Sequence, residues 1–241
     1  MQKYFIIFLL TIWFPSNIYA SDYNIFSDEE EIEQSNDLYD PFEKFNRRIY
    51  KFNMTLDKYT LKPAAKTYRK IVPSPVRNSI GNALDNLTVP LTFVNSLLQL
   101  DFKNSGKSVL RFSINSTIGL LGFFDVAQKM NIKINKEDFG QTLAKYNVPN
   151  GPFFMVPFLG PFTLRSLSGT GIGWAADPFW SNVSDNQENR NIRYSLTALS
   201  VINARESIYD ELEDIEKNTL DPYSVIKSAY IQKRESLVKN E

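Results

Sequence analysis

Asp125, Asp138 and Asp177 are the acids that an enzyme built from this chain would use first, as a carboxylate-dependent hydrolase. The chain holds no histidine and no cysteine. That removes Ser-His-Asp and Cys-His nucleophile activation and the commonest zinc ligands. No catalytic residue, metal ligand or cofactor is therefore assigned, and no nucleic-acid partner is read. Arg111 and Arg165 can each meet a phosphate through charge-assisted hydrogen bonds. They can equally serve as structural partners for Asp125, Asp138 or Asp177, and the sequence leaves both roles open.

The most informative stretch runs Asn115-Ser116-Thr117-Ile118-Gly119-Leu120-Leu121-Gly122-Phe123-Phe124-Asp125-Val126-Ala127. It is too apolar for a surface loop and too rich in glycine for an ordinary core helix. A glycine costs a helix roughly 1 kcal/mol relative to alanine, so Gly119 and Gly122 imply a break, a bend or a close backbone approach. Asn115 and Asp125 bracket the segment as caps for broken helix ends.

The elements that must position these residues are helical. Phe42, Phe45, Ile49, Phe52, Leu56 and Tyr59 recur at spacings of three and four and mark one helix face. Asp40 is its expected N-cap, with Pro41 in the first turn and Glu43 three residues on. A short helix should span Ala64 to Ile71. The next opens at Ser74-Pro75, and Val89-Pro90 should break and restart it. Asn104-Ser105-Gly106 reads as a turn before a helix from Lys107. Proline recurs every four or five residues from Pro149 to Pro161, which excludes a long helix or a central strand there. That segment is nevertheless apolar, and must be covered by protein or lie in lipid. Leu199, Ile202, Ile208, Leu212 and Ile215 form a C-terminal stripe, and Pro222 restarts a last helix. The fold class is all-α: one ring-like domain of broken, glycine- and proline-interrupted amphipathic helices over residues 40–241.

Residues 1–20 join a basic start at Lys3 to an apolar run and end at Ala20, the pattern of a cleavable signal peptide. Residues 21–39 follow with seven acids and no base, an acidic leader of the kind that is usually disordered. The rest of the chain is net basic, which suits an anionic membrane surface. After residue 20 no stretch reaches the length and apolarity of a transmembrane helix.

Asp40-Pro41-Phe42-Glu43-Lys44-Phe45-Asn46-Arg47, Pro63-Ala64-Ala65, Asn115-Ser116-Thr117, Phe124-Asp125-Val126-Ala127 and Asp138-Phe139-Gly140-Gln141-Thr142-Leu143 are similar to signatures of the MlaA/VacJ family. So are Leu159-Gly160-Pro161, Thr163-Leu164-Arg165, Asn203-Ala204-Arg205 and Leu220-Asp221-Pro222-Tyr223, so the resemblance runs from Asp40 to about Arg234. Ala144 and Asn147 stand where the family usually has glycine, Ser166 where it has an acid, and the lipobox cysteine is missing. The resemblance implies a non-enzymatic ring embedded in the outer membrane from the periplasmic side. Phospholipid would pass from the outer leaflet through an amphipathic channel to a soluble periplasmic carrier, beside a trimeric porin. Asn115, Ser116, Thr117, Gly119, Gly122 and Asp125 are then candidates for the lipid path or its hinge, and Arg111 and Arg165 for phosphate contacts. Phe42, Phe45, Phe52, Phe154 and Phe158 are candidates for the membrane-facing surface. The alternative is a soluble periplasmic lipid-binding carrier.

Overall fold

The computed structural model describes residues 39–176 and 187–240. The expected signal peptide, nearly all of the acidic leader, and Asp177 lie outside them. Ten helices and one hairpin are described. They are α1 (Glu43–Tyr59), α2 (Leu61–Ile71), α3 (Ser74–Leu98), α4 (Phe102–Thr117), α5 (Val126–Lys129) and α6 (Phe139–Lys145), then β1 (Phe153–Val156) and β2 (Gly160–Thr163). After these come α7 (Leu164–Ala176), α8 (Gln187–Ser207), α9 (Tyr209–Asn218) and α10 (Pro222–Lys239). Packing closes on itself: α1 meets α2, α2 meets α8, α8 meets α3, α3 meets α6, α6 meets α7, α7 meets β2, and β1 returns to α1. That is the cyclic order a ring requires, and the all-α class holds.

Three local expectations are corrected. Asp40 does not cap α1. Its carboxylate accepts from Asn46 Nδ2 and from the Tyr223 hydroxyl, so Phe42 becomes the N-cap without a side-chain bond. Pro90 does not break α3, which runs through it; the missing N–H removes one ladder bond, and packing against α4 and α8 supports the helix across that gap. Asn104-Ser105-Gly106 is not a turn. Asp101 accepts from Asn104 N and starts α4 at Phe102, five residues before the expected Lys107, and buried Asn104 bonds Ser96 Oγ and the Asn135 backbone. The proline-rich segment holds neither a long helix nor a central strand, as expected; it forms two short antiparallel edge strands, pairing Phe153 with Thr163 and Val156 with Gly160. Four residues each is short enough for prolines at the ends and the turn.

Burial is inverted. Among the described residues 22 polar or charged side chains are buried against 13 apolar ones, so hydrogen bonds and ion pairs do much of the work of a core. The apolar core is two small clusters. Phe153, Met155, Tyr223 and Ile231 form one, with Ile49, Tyr50 and Tyr230 against it; Leu61 and Val201 form the other, with Leu56 and Phe158. The buried residues of α1, Asn46, Asn53 and Asp57, are all polar. Asn46 donates to Phe153 O and accepts from Met155 N, and Asn53, seven residues on, does the same with Val156 O and Phe158 N. Each amide replaces a missing strand neighbour for β1 and the turn, satisfying backbone groups that would otherwise be orphaned. The phenylalanine stripe consequently faces outward, with Phe42, Phe45 and Phe52 exposed. Among the described residues no helix is long and apolar enough to cross a membrane.

Candidate functional site

The segment 118–124 is a turn region between α4 and α5, carried by a polar frame. Buried Asn115 donates to Asp125 Oδ1 at 3.0 Å and accepts from Ala127 N at 2.9 Å. Asp125 also accepts from Gln128 N, capping α5, and takes the Arg111 guanidinium on its other oxygen. Arg111 completes the frame with a bond to Ile132 O at 3.0 Å. Ser116 accepts from Asn86 Nδ2, which ties the frame to α3, and Thr117 bonds back to Ser113 O. The capping expected of Asn115 and Asp125 is thus present, and Arg111 takes the Asp125 pairing that was one of its two readings.

Both glycines answer to close backbone approach. A Cβ on Gly119 would stand 2.3 Å from Phe124 O and 2.6 Å from Asn115 O. Gly122 has φ of +94°, and its Cβ would lie 2.5 Å from the Asn86 Cβ. Between them Leu120 and Leu121 adopt left-handed backbone, at φ of 51° and 59°. Two such leucines cost about 1–2 kcal/mol each, and the surrounding bonds must hold them there. The strain has a result: Ile118, Leu120, Leu121, Phe123 and Phe124 all point outward, Leu121 at 72% exposure. A polar frame inside and a bare apolar loop outside is an arrangement able to touch acyl chains with one side and polar groups with the other.

Arg165 lies elsewhere, on α7. It gives Nη1 to Val148 O and pairs with neither Asp125 nor Asp138, and its buried Nε has no hydrogen-bond partner among the described residues; Asp177, its third proposed acid, lies outside them. Burial, followed by the nearby Arg234 charge, pushes its guanidinium below the ordinary range. One of the acids offered to it, Asp138, instead holds Arg234 through two bonds of 2.6 and 3.1 Å and caps α6 at Gln141 N. Burial raises the Asp138 carboxyl, but the Arg234 charge and these hydrogen bonds outweigh it and leave it below its usual value. Ser166 sits in a hydroxyl cluster with Thr163 Oγ1 and the Tyr230 hydroxyl. Asn147 takes φ of 60°, a conformation asparagine tolerates better than most residues. Phe154 and Phe158 are half-buried, stacked on Phe42 and edge-on to Phe52.

Sequence reasoning missed Glu137. It is buried beside Asp138 and accepts from Gln99 Nε2 at 2.7 Å. No local pattern marks it; only the return of the 131–138 connector onto the end of α3 makes it unusual. Burial pushes its carboxyl up to about 7, and hydrogen bonds from Gln99 and Asn240 offset only part of that. A raised carboxylate contributes stability that is complete below the unfolded value of 4.5 and is lost as pH rises through about 7. Glu137→Gln should therefore stabilise by about 2 kcal/mol at pH 8, a linkage value reduced for solvent screening, and change little at pH 5. Urea unfolding at the two pH values checks this, and equal effects at both would refute it.

Comparison with known proteins places these features in a family. The model of the MlaA lipoprotein family matches residues 38–237. An uncharacterized protein of Rickettsia bellii (strain RML369-C) is 37% identical over 207 residues, 84% of this chain and 78% of that protein. The intermembrane phospholipid transport system lipoprotein MlaA of Escherichia coli (strain K12) is 35% identical over 200 residues, 81% of this chain and 77% of that protein. Its namesake in Haemophilus influenzae (strain ATCC 51907 / DSM 11121 / KW20 / Rd) is 32% identical, covering 86% and 80%. A solved structure concerned with the structural basis for maintenance of bacterial outer membrane lipid asymmetry aligns at a TM-score of 0.68 and 32% identity, over 83% of this chain and 98% of that one. On the sequence match, the shared fold and the residues it spans, this chain belongs to the MlaA family.

Proposed function

We propose that the protein is an outer-membrane component of phospholipid transport that removes misplaced phospholipid from the outer leaflet. The observation that carries this is the inverted burial: a polar interior with large apolar side chains turned outward on α1, α4 and the 118–124 loop. A surface of that kind, with no membrane-crossing helix among the described residues, suits a protein seated in one leaflet. Relatives named for intermembrane phospholipid transport support the same reading. A soluble carrier would turn its apolar faces inward, so it ranks second.

In this reading export is directed by residues 1–20 and the domain enters the membrane from the periplasmic side. Lipid passes beside Asn115, Ser116, Thr117 and Asp125, with Gly119 and Gly122 as the hinge. Arg165, with donors left over after Val148 O, contacts phosphate more readily than Arg111, which is held by Asp125. Phe42, Phe45 and Phe52 meet acyl chains, with Phe154 and Phe158 behind them. A trimeric porin and a soluble periplasmic carrier are the partners. No bond is made or broken, so no enzymatic step is needed.

The test is outer-leaflet phospholipid in intact cells, read with an externally added phospholipase. Deletion of the gene should raise the accessible phospholipid, and the wild-type chain should reverse the rise. An unchanged level, in cells whose other transport components work, rejects the role.

A further inference from the structure

Helix α1 carries a third face that neither the core nor the aromatic stripe uses. At about 100° per residue, Lys44, Arg48, Lys51 and Lys58 fall within about 80° of one another, a ridge about 21 Å long. All four are exposed, and none forms an ion pair with a carboxylate of the described residues. The acids of the helix are engaged elsewhere: Glu43 holds Arg47, and Asp57 holds Arg205. Neighbours at i,i+3 and i,i+4 of one sign repel, an arrangement that weakens a helix unless a counter-charge is supplied. The inward bonds of Asn46 and Asn53 to β1 and its turn fix the rotation of α1, so the ridge cannot turn away. Phe45, Phe52 and Tyr59 run alongside it on the adjoining face, each exposed.

We infer that this ridge binds the headgroups of anionic phospholipid in a bilayer. A basic stripe bordered by a parallel aromatic band is matched to the interface between headgroups and acyl chains, charges meeting phosphates while rings enter below them. An acidic protein would satisfy the lysines and leave the rings bare. The inference rests on the membrane reading proposed above and adds a lipid class and a named surface to it.

The experiment uses the full chain, diluted from detergent onto vesicles of phosphatidylcholine alone or mixed with phosphatidylglycerol, and scored by flotation at low and high salt. The wild type should prefer the mixed vesicles, and salt should erase the preference. The variant K44Q/R48Q/K51Q/K58Q should lose about fivefold in affinity for them per charge removed, with unchanged binding to neutral vesicles and unchanged circular dichroism. The variant K44R/K51R/K58R, which keeps the charge, should behave as wild type. Equal binding to both vesicles, or a preference that survives the glutamine substitutions, overturns the inference while leaving the membrane reading intact. Binding to neither overturns both. If a preference emerges only after the seven acids between Ser21 and Tyr39 are changed to amides, the leader is the partner of the ridge and the inference falls.

Discussion

Gly169→Ala is expected to destabilise the protein by about 3 kcal/mol, the upper part of the range for overpacking. An added Cβ would stand 2.2 Å from Gly140 N, 2.6 Å from Gly140 Cα and 2.8 Å from Phe139 C. All three are backbone atoms, so no rotamer change makes room. Helix α6 would have to leave α7, and it has nowhere to go: a Cβ at Gly140 would itself be 2.8 Å from Arg234 Nη2. Displacing α6 would also pull Asp138 from Arg234 and expose two buried charges to each other's absence. Gly171, two residues on and on the other side of the same helix, has nothing within 4 Å of its Cβ position. Gly171→Ala should stabilise by about 0.5–1 kcal/mol through lost backbone freedom in the unfolded chain. Thermal or urea unfolding of both variants in one detergent decides the matter. A Gly169→Ala protein within 1 kcal/mol of wild type would show that the α6–α7 approach is not the constraint it is taken to be.

The second large effect belongs to Asp57 and Arg205, which join α1 to α8. Arg205 is 2% exposed and binds both carboxylate oxygens, Nε to Oδ1 at 2.7 Å and Nη2 to Oδ2 at 3.0 Å. Its Nη1 already lacks a hydrogen-bond partner, so the carboxylate is what makes the buried charge tolerable, with the Tyr209 ring 5.3 Å away adding a weaker contact. Asp57→Ala should cost about 3–5 kcal/mol, most of it the stranded guanidinium rather than the pair's own net value. The double variant Asp57→Ala/Arg205→Met should recover a large part of that loss. Costs that simply add in the double variant would mean the two residues act independently, contrary to their geometry.

Both effects come from residues whose partners lie far away in the chain, and this marks the limit of what the sequence discloses. Helix positions were legible because spacing is local: the stripe from Phe42 to Tyr59 and the restart at Pro222 both correspond to helices. Which side of α1 faces in was not, since a phenylalanine stripe suits core and lipid alike, and only the bonds from Asn46 and Asn53 to a hairpin over a hundred residues away settle it. Asp40 looked like a cap because capping is judged over four residues; Tyr223, 183 residues on, competes for it. At the site, the caps at Asn115 and Asp125 and the Arg111–Asp125 pairing were within reach because all three lie in one short stretch. Glu137 and the Asp57–Arg205 pair were not, being products of tertiary return alone.

The asparagine bonds to β1 have a consequence for how this sequence can drift. A core of aliphatic side chains is held by volume, and one branched residue can replace another. An amide that must donate to one carbonyl and accept from one N–H is held by direction, and no other residue of its length offers both. Exchanges among leucine, valine and phenylalanine on the outer faces of α1 and α4 should therefore be nearly silent, while Asn46→Asp or Asn53→Ser should be purged. The positions that resist change in this protein are the small polar ones, and mutational scanning should find its tolerance map turned inside out.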